Sequence, residues 1–466
     1  KYTENNYGTY ATNKAGRTAV VLTAANDGML HAFRRDTGEE LWAFMPSPVL
    51  PNLYKLADNA YSTNHQYFVD GSPQMGDIWD GSNWKTIVVG GLNAGGKSYY
   101  ALDVTDPAAP KFLWEFSHQH LGLTFGNPII TKRADGTWVV AFTSGYNNNA
   151  SGGDGNGHLF IVNANTGTLI TQLPTNYPDN SPAGDSNTPS GLAKLNVWVN
   201  AVENNLAQRF YAGDLLGNLW RFDIDSLVQP NNAALLLATL TAPDGTRQSI
   251  TTRPGLAEVM YNGIAYPTVF VATGKYLGTT DASSSTIQSI YAIKDTMTST
   301  GWGTAGLRTT GNAVAQTLAA STDANGRATR TVTNAVVNWS TKAGWYADFP
   351  VGGERVTVTP QISLNTLTIG SILPSSSACT VGGESFLYRF DISTGGSVTG
   401  TSVVGTYVGN VLIQGLTNVQ LGGTGSGAGS IVTITTKSDA TLGTDVTTVP
   451  TSASNLRRTS WRELAD

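Results

Sequence analysis

One turn-strand unit recurs along the chain. Each copy passes from Gly-rich or Asp-Gly turn chemistry into an apolar, ring-bearing strand, and several copies close on an acidic residue. The first three are Asp27-Gly28-Met29-Leu30-His31-Ala32-Phe33, Gly96-Lys97-Ser98-Tyr99-Tyr100-Ala101-Leu102-Asp103 and Gly157-His158-Leu159-Phe160-Ile161-Val162-Asn163. Three more follow: Gly217-Asn218-Leu219-Trp220-Arg221-Phe222-Asp223, Ser289-Ile290-Tyr291-Ala292-Ile293-Lys294-Asp295 and Glu384-Ser385-Phe386-Leu387-Tyr388-Arg389-Phe390-Asp391. A single copy cannot cover both faces of its own strand, so the copies must stack on one another. The unit therefore argues for a repeat architecture.

Other short β-branched runs, at 18–23, 85–89 and 267–272, also end near Gly, Asn or Asp and read as strands. Segments with helical period are scarce; 48–60 and 231–238 are the best, and both are short. Propeller blades take about 40–50 residues each, and loop insertions lengthen them. The wide, irregular spacing of His31, Tyr100, Phe160, Trp220, Tyr291 and Tyr388 thus predicts an all-β fold, a modified β-propeller of about seven blades with long loop insertions. The extra blade is expected in the gap between Tyr291 and Tyr388 or among strands over 404–437. A β-sandwich array is the competing architecture, disfavoured because sandwiches rarely repeat one aromatic unit. Leu30, Phe33, Leu102, Phe160, Val162, Leu219, Phe222, Ile293, Leu387 and Phe390 are the expected blade cores, with Trp220 packed among them. Low-complexity stretches at 283–286, 319–331 and 422–429 read as exposed loops.

Composition narrows the function classes. Charged residues make up only 13% of the 466, and 28 Lys+Arg against 33 Asp+Glu leave −5. No basic footprint exists for nucleic acid or anionic lipid. The single cysteine, Cys379, excludes an intrachain disulfide and any cysteine-rich metal cluster. Scarce Cys, low charge and abundant Thr, Ser, Asn and Gly suit an exported bacterial surface protein. No apolar run approaches the ~20 residues of a membrane-spanning helix, and Lys1-Tyr2-Thr3-Glu4 is not a signal peptide.

Chemical motifs weigh against catalysis. Residues 91–98, Gly-Leu-Asn-Ala-Gly-Gly-Lys-Ser, match the phosphate-loop pattern by letter. A strand of the repeat follows the lysine where phosphate binding needs a helix, so a Gly-rich hairpin is expected. His118-Gln119-His120 would place two rings on one face of a strand, but Glu115 would point to the other face, so no ligand set is complete locally. His31 reads as a structural histidine. No Gly-x-Ser-x-Gly elbow and no paired acid and base stand out.

Several segments together resemble one family, the C-terminal domain of PilY/PilC-type tip adhesins of type IV pili. They are residues 25–33, 121–128, 211–223, 344–350 with 353–356, and the closing 457–464. The resemblance implies a modified seven-bladed propeller at the pilus tip or outer membrane, extracellular or on the cell surface. It implies one domain over 1–466, the C-terminal part of a longer exported protein. The implied role is non-enzymatic: support of pilus extension against retraction, surface attachment and twitching motility. The implied partners are minor pilins or tip components and a host or abiotic surface.

The resemblance also implies a calcium loop just before the Ala212-Gly213-Asp214-Leu215 segment. Its matching positions are Asn200, Val202, Asn204, Leu206 and Gln208, where amides and apolar groups replace the expected carboxylates and Glu203 is out of register. Asn200, Asn204 and Gln208 form a degenerate metal set, so weak calcium binding or none is expected, and no other cofactor. Asp154-Gly155-Asn156 is a weaker calcium candidate. Two other function classes stay open. A quinoprotein-like dehydrogenase is suggested by the turn-and-tryptophan segment 36–44, although the vicinal cysteine pair common in such enzymes cannot exist here. A carbohydrate-binding surface propeller would show exposed tryptophans in a groove.

Overall fold

The computed structural model describes residues 2–150, 152–308, 311–375, 382–398, 400–421 and 429–449. Cys379, the tract 422–428 and the closing segment 457–464 lie outside the described residues. The chain divides into two compact units, one reaching Ala212 and including Arg221–Leu235, the other comprising Gly213–Trp220 and the chain from Leu236.

Antiparallel meanders dominate. Strands β1–β3 (Val20–Ala24, Leu30–Arg34, Glu40–Phe44) form a three-stranded sheet. Strands β4–β7 (Gln74–Trp79, Trp84–Gly91, Tyr99–Asp103, Lys111–Phe116) and β8–β11 (Ile129–Lys132, Trp138–Thr143, His158–Asn163, Leu169–Pro174) each form a four-stranded sheet in chain order. So do β12–β15 (Leu195–Val199, Ala207–Gly213, Asn218–Phe222, Ala234–Thr239). The second unit adds β16–β20 (Gly255–Tyr261, Ile264–Ala272, Ser289–Lys294, Ala313–Thr322, Ala328–Val332) and β21–β25 (Gly344–Asp348, Gln361–Ser363, Thr366–Pro374, Gly383–Asp391, Val403–Gly409). These ten join one sheet in the order β16-β17-β18-β21-β19-β20-β25-β24-β23-β22. Strands β26–β28 (Ile413–Leu421, Gly429–Lys437, Leu442–Val449) form a final three-stranded sheet.

The expected count of about seven blades is corrected by these sheets. Among the described residues there are five sheets of three or four strands and one of ten. The cause is the hairpin β19–β20, whose first strand pairs parallel with β21 and whose second pairs antiparallel with β25. It welds two four-stranded runs into one continuous sheet. Among its described residues, the gap between Tyr291 and Tyr388 therefore holds this hairpin and the strands flanking it, with no extra blade. The stretch 231–238 is likewise no helix: Ala234–Thr239 is strand β15 beside β14. A short run of Ala and Leu is ambiguous by periodicity, and pairing with a neighbour decides it. The 48–60 signal corresponds to a 3-10 helix, Ser47–Ala57.

The ring positions of the repeat occupy equivalent strands. Tyr100, Phe160, Trp220, Tyr291 and Tyr388 lie on β6, β10, β14, β18 and β24 and are buried, as are nine of the ten expected core residues. Phe33 is half-buried, and His31 on β2 sits between Asp27 and Glu40 at 2.9 and 2.7 Å, a structural histidine.

Tryptophans lock neighbouring turns. Trp114 at the end of one sheet donates its indole N–H to the carbonyl of Ala164, 2.9 Å away in the β10–β11 turn, and covers Gly167. Gly167 has φ +71°, and a Cβ there would lie 2.6 Å from the Trp114 ring. In the second unit Trp345 repeats the device on Ile392 (3.0 Å) and Gly395 (φ +71°). Only glycine meets both demands, left-handed backbone and a flat ring overhead. Trp42, the tryptophan of the 36–44 segment, similarly donates to Pro107 at 2.7 Å, so that segment serves packing.

Candidate metal centre

The long connector 144–157 between β9 and β10 and the connector 117–128 between β7 and β8 meet at a cluster of side chains in the first unit. Gly122 makes the approach feasible: its backbone N–H donates to Ser144 at 2.7 Å, and a Cβ on it would stand 2.1 Å from the Tyr146 carbonyl oxygen. Fully buried Asn148 staples the two connectors, its amide donating to the carbonyls of His120 (3.2 Å) and Asn156 (2.6 Å). The Asn156 side-chain oxygen in turn accepts the N–H groups of Gly157, Ala183 and Gly184 and the Thr175 hydroxyl. The loop is thereby held by groups other than the cluster it presents.

That cluster is His120, Asp154 and His158, whose ligand-type atoms all lie within 4.8 Å of one another. His158 Nε2 is 3.0 and 3.1 Å from the two carboxylate oxygens of Asp154, and His120 Nδ1 is 3.3 Å from Asp154 Oδ1. The two imidazoles stack with centroids 4.8 Å apart. Outer partners hold both rings: Gln172 Nε2 meets His158 Nδ1 at 2.9 Å, and Gln119 Nε2 meets His120 Nε2 at 3.1 Å. Burial pushes the His158 imidazole below its usual range, against the pull of Asp154. Burial alone would raise the Asp154 carboxyl; the charge and hydrogen bonds of His158, with the Asn156 N–H, outweigh it and hold the group below the ordinary carboxylate range.

The structure rearranges the sequence-derived candidates. His118 and His120 stand in a turn, not on a strand; the His118 Nδ1 accepts the backbone N–H of His120 at 3.2 Å, and His118 is not among the residues whose ligand atoms converge. Glu115 is engaged by the Ser47 backbone N–H at 2.7 Å and by its hydroxyl. Asp154 gains imidazole neighbours, which suit a transition ion better than calcium. His158, not weighed as a ligand from sequence, had one available signal. Two residues before the ring position, copies at Ser98, Asn218 and Ser289 carry a small neutral polar group where His158 stands.

The degenerate calcium positions form the hairpin between β12 and β13. The Asn200 side-chain oxygen caps the Ala201 N–H at 2.7 Å, Asn204 donates its backbone N–H to Ala201 at 3.2 Å, and the Gln208 amide oxygen accepts from Arg209 at 3.4 Å. Asn205, at φ +53°, ties the hairpin to β8 through the carbonyl of Ile130 and the backbone N–H of Lys132. The phosphate-loop letters fall on a hairpin from β5 into β6, and Lys97 donates to the Asn147 carbonyl at 2.9 Å.

The family model of the PilY1 beta-propeller domain matches residues 2–330. A type IV pilus biogenesis factor PilY1 of Pseudomonas aeruginosa is 33% identical over 442 residues, covering 85% of this chain and 36% of its own length. A PilY1 homolog of Xylella fastidiosa is 33% identical over 482 residues, covering 98% of this chain and 36% of its own. The chain thus spans about a third of the length of these relatives. The crystal structure of the Pseudomonas aeruginosa PilY1 C-terminal domain superposes with a TM-score of 0.71 at 27% identity, over 94% of this chain and 95% of that one. Repeat, sheets and relatives agree, and the chain belongs to the PilY1 β-propeller family of type IV pilus biogenesis factors.

Proposed function

We propose that this chain is the propeller part of a longer exported type IV pilus biogenesis factor and works without catalysis, by protein contacts that support pilus extension, attachment and twitching motility. The observation that carries this reading is the shared fold with the PilY1 C-terminal domain over nearly the whole of both chains. Minor pilins or tip components are the proposed partners, at the pilus tip or outer membrane. Among the described residues no helix is long and apolar enough to cross a membrane.

Deleting only the coding region of this propeller and counting surface pili, with the retraction motor present and absent, tests the reading. Surface pili should fall sharply when the motor works and recover when it is removed. Unchanged piliation and twitching in the deletion strain would sink it.

A further inference from the structure

We propose that His120, Asp154 and His158 bind a zinc-class divalent transition ion, a site separate from the pilus role proposed above. Two imidazoles and one carboxylate are a donor set for such ions, whereas calcium takes six to eight oxygens. Two of the three spacings match a tetrahedral ion. With bonds of about 2.0–2.1 Å, neighbouring donor atoms lie roughly 3.3 Å apart; His120 Nδ1 and His158 Nε2 stand 3.3 and 3.1 Å from the same oxygen, Asp154 Oδ1, and the two nitrogens lie within 4.8 Å of each other, which a small turn of one ring closes. Three protein ligands leave one position for water or for a donor from a partner.

Hydrogen bonding alone leaves this cluster unfinished. His120 Nδ1 is buried and makes no hydrogen bond, although Asp154 Oδ1 is 3.3 Å away: the pair is near enough for attraction but not aligned for a hydrogen bond. With Gln119 donating to Nε2, His120 carries its proton on Nδ1; a metal lying between Nδ1 and Asp154 would replace that proton, which moves to Nε2 as a half-turn of the Gln119 amide presents its oxygen to accept it. The outer shell is also present, since ligating histidines commonly have the second ring nitrogen held by a polar partner. With Gln172 donating to Nδ1, His158 carries its proton on Nε2. Metal binding at Nε2 moves that proton to Nδ1, and a half-turn of the Gln172 amide presents its oxygen to accept it.

A site built merely for structure looks different in this protein. Asp214 stands at the position equivalent to Asp154, six residues before the ring residue, and is satisfied entirely by N–H donors of its own hairpin. At Asp154 the corresponding donors Asn218 and Trp220 are replaced by His158 and Phe160, and a further imidazole arrives from another connector.

The test uses tag-free full chain, stripped of metal, titrated with Co²⁺ and Zn²⁺ and followed by the cobalt visible spectrum and by calorimetry. One ion per chain is expected, with the intense absorption of low-coordinate cobalt, displaced by zinc and untouched by millimolar calcium. His120→Ala and Asp154→Asn should abolish the cobalt spectrum while the metal-free melting curves stay close to wild type, and Gln172→Ala should weaken binding by about tenfold. Absence of a one-to-one cobalt complex in the wild-type chain, equal affinity in folded His120→Ala and Asp154→Asn, or displacement by calcium would each overturn the proposal.

Discussion

Segments 154–160 and 214–220 are the same local design, Asp-x-x-Gly-x-Leu-aromatic, put to opposite uses. In both, the aspartate oxygen accepts the backbone N–H two residues on, at 3.0 Å for Asp154 and 2.9 Å for Asp214. From there they diverge. Asp214 is fully buried and also collects the Asn218 backbone N–H (2.8 Å), the Asn218 amide (3.0 Å) and the Trp220 indole N–H (2.8 Å). Asp154 keeps 41% of its side chain exposed and faces two imidazoles. The short link 214–217 closes the first design tightly, while the long connector 144–157 lifts the second toward solvent. The difference teaches that a repeat's structural carboxylate becomes a candidate ligand when its neutral N–H donors are exchanged for an imidazole and a ring that cannot donate.

The strongest way to break this comparison is Trp220→Ala. It empties a fully buried site and strips Asp214 of its indole donor, so a loss of about 3–5 kcal/mol is expected. Chemical denaturation reads it directly, and an unchanged midpoint would show that the ring is not structural.

Next in size is the pH response of Asp214. Burial pushes its carboxyl from 3.8 up to about 6, against the hydrogen bonds of Trp220 and Asn218. A group raised in the folded state contributes stability that is complete below pH 3.8 and is lost as pH climbs through about 6. The stability of wild type relative to Asp214→Asn should therefore fall by about 2 kcal/mol between pH 4 and 6. A flat difference between the two proteins across that window would mean that the hydrogen bonds cancel the cost of burial.

Trp220→Phe is the gentler cut. It keeps the ring and removes one donor to a buried carboxylate, for an expected loss of about 1–3 kcal/mol. At the other segment, Asp154→Asn in metal-free protein should shift stability by less than about 1 kcal/mol, because a partly exposed carboxylate–imidazole contact is worth little. Thermal melts of the two variants side by side sharpen the contrast; equal losses would erase it.

Strand chemistry was legible locally because it depends on neighbours in the chain. Each turn-strand unit carries its own turn residues and its own alternation, so the ring positions, the blade cores, the packing role of Trp220 and the hairpin nature of residues 91–98 all follow from short windows. The family resemblance rested on the order of such windows. What pairs with what did not. The weld of ten strands through β19–β20 is decided by hydrogen bonds between β19 and β21 and between β20 and β25, partners remote in sequence or parallel in sense, for which no local pattern exists. The fate of 231–238 was settled in the same way, by a strand beside it. So was the His120–Asp154–His158 cluster: His120 and His158 belong to different connectors, and only the close approach allowed by Gly122, with the staple through Asn148, brings their nitrogens to one carboxylate. Sequence by itself determined the repeating strand and its core, because propensity and turn chemistry act over a few residues; tertiary structure alone decided sheet boundaries and the metal-ready cluster, because both depend on which distant backbones can come within hydrogen-bonding distance.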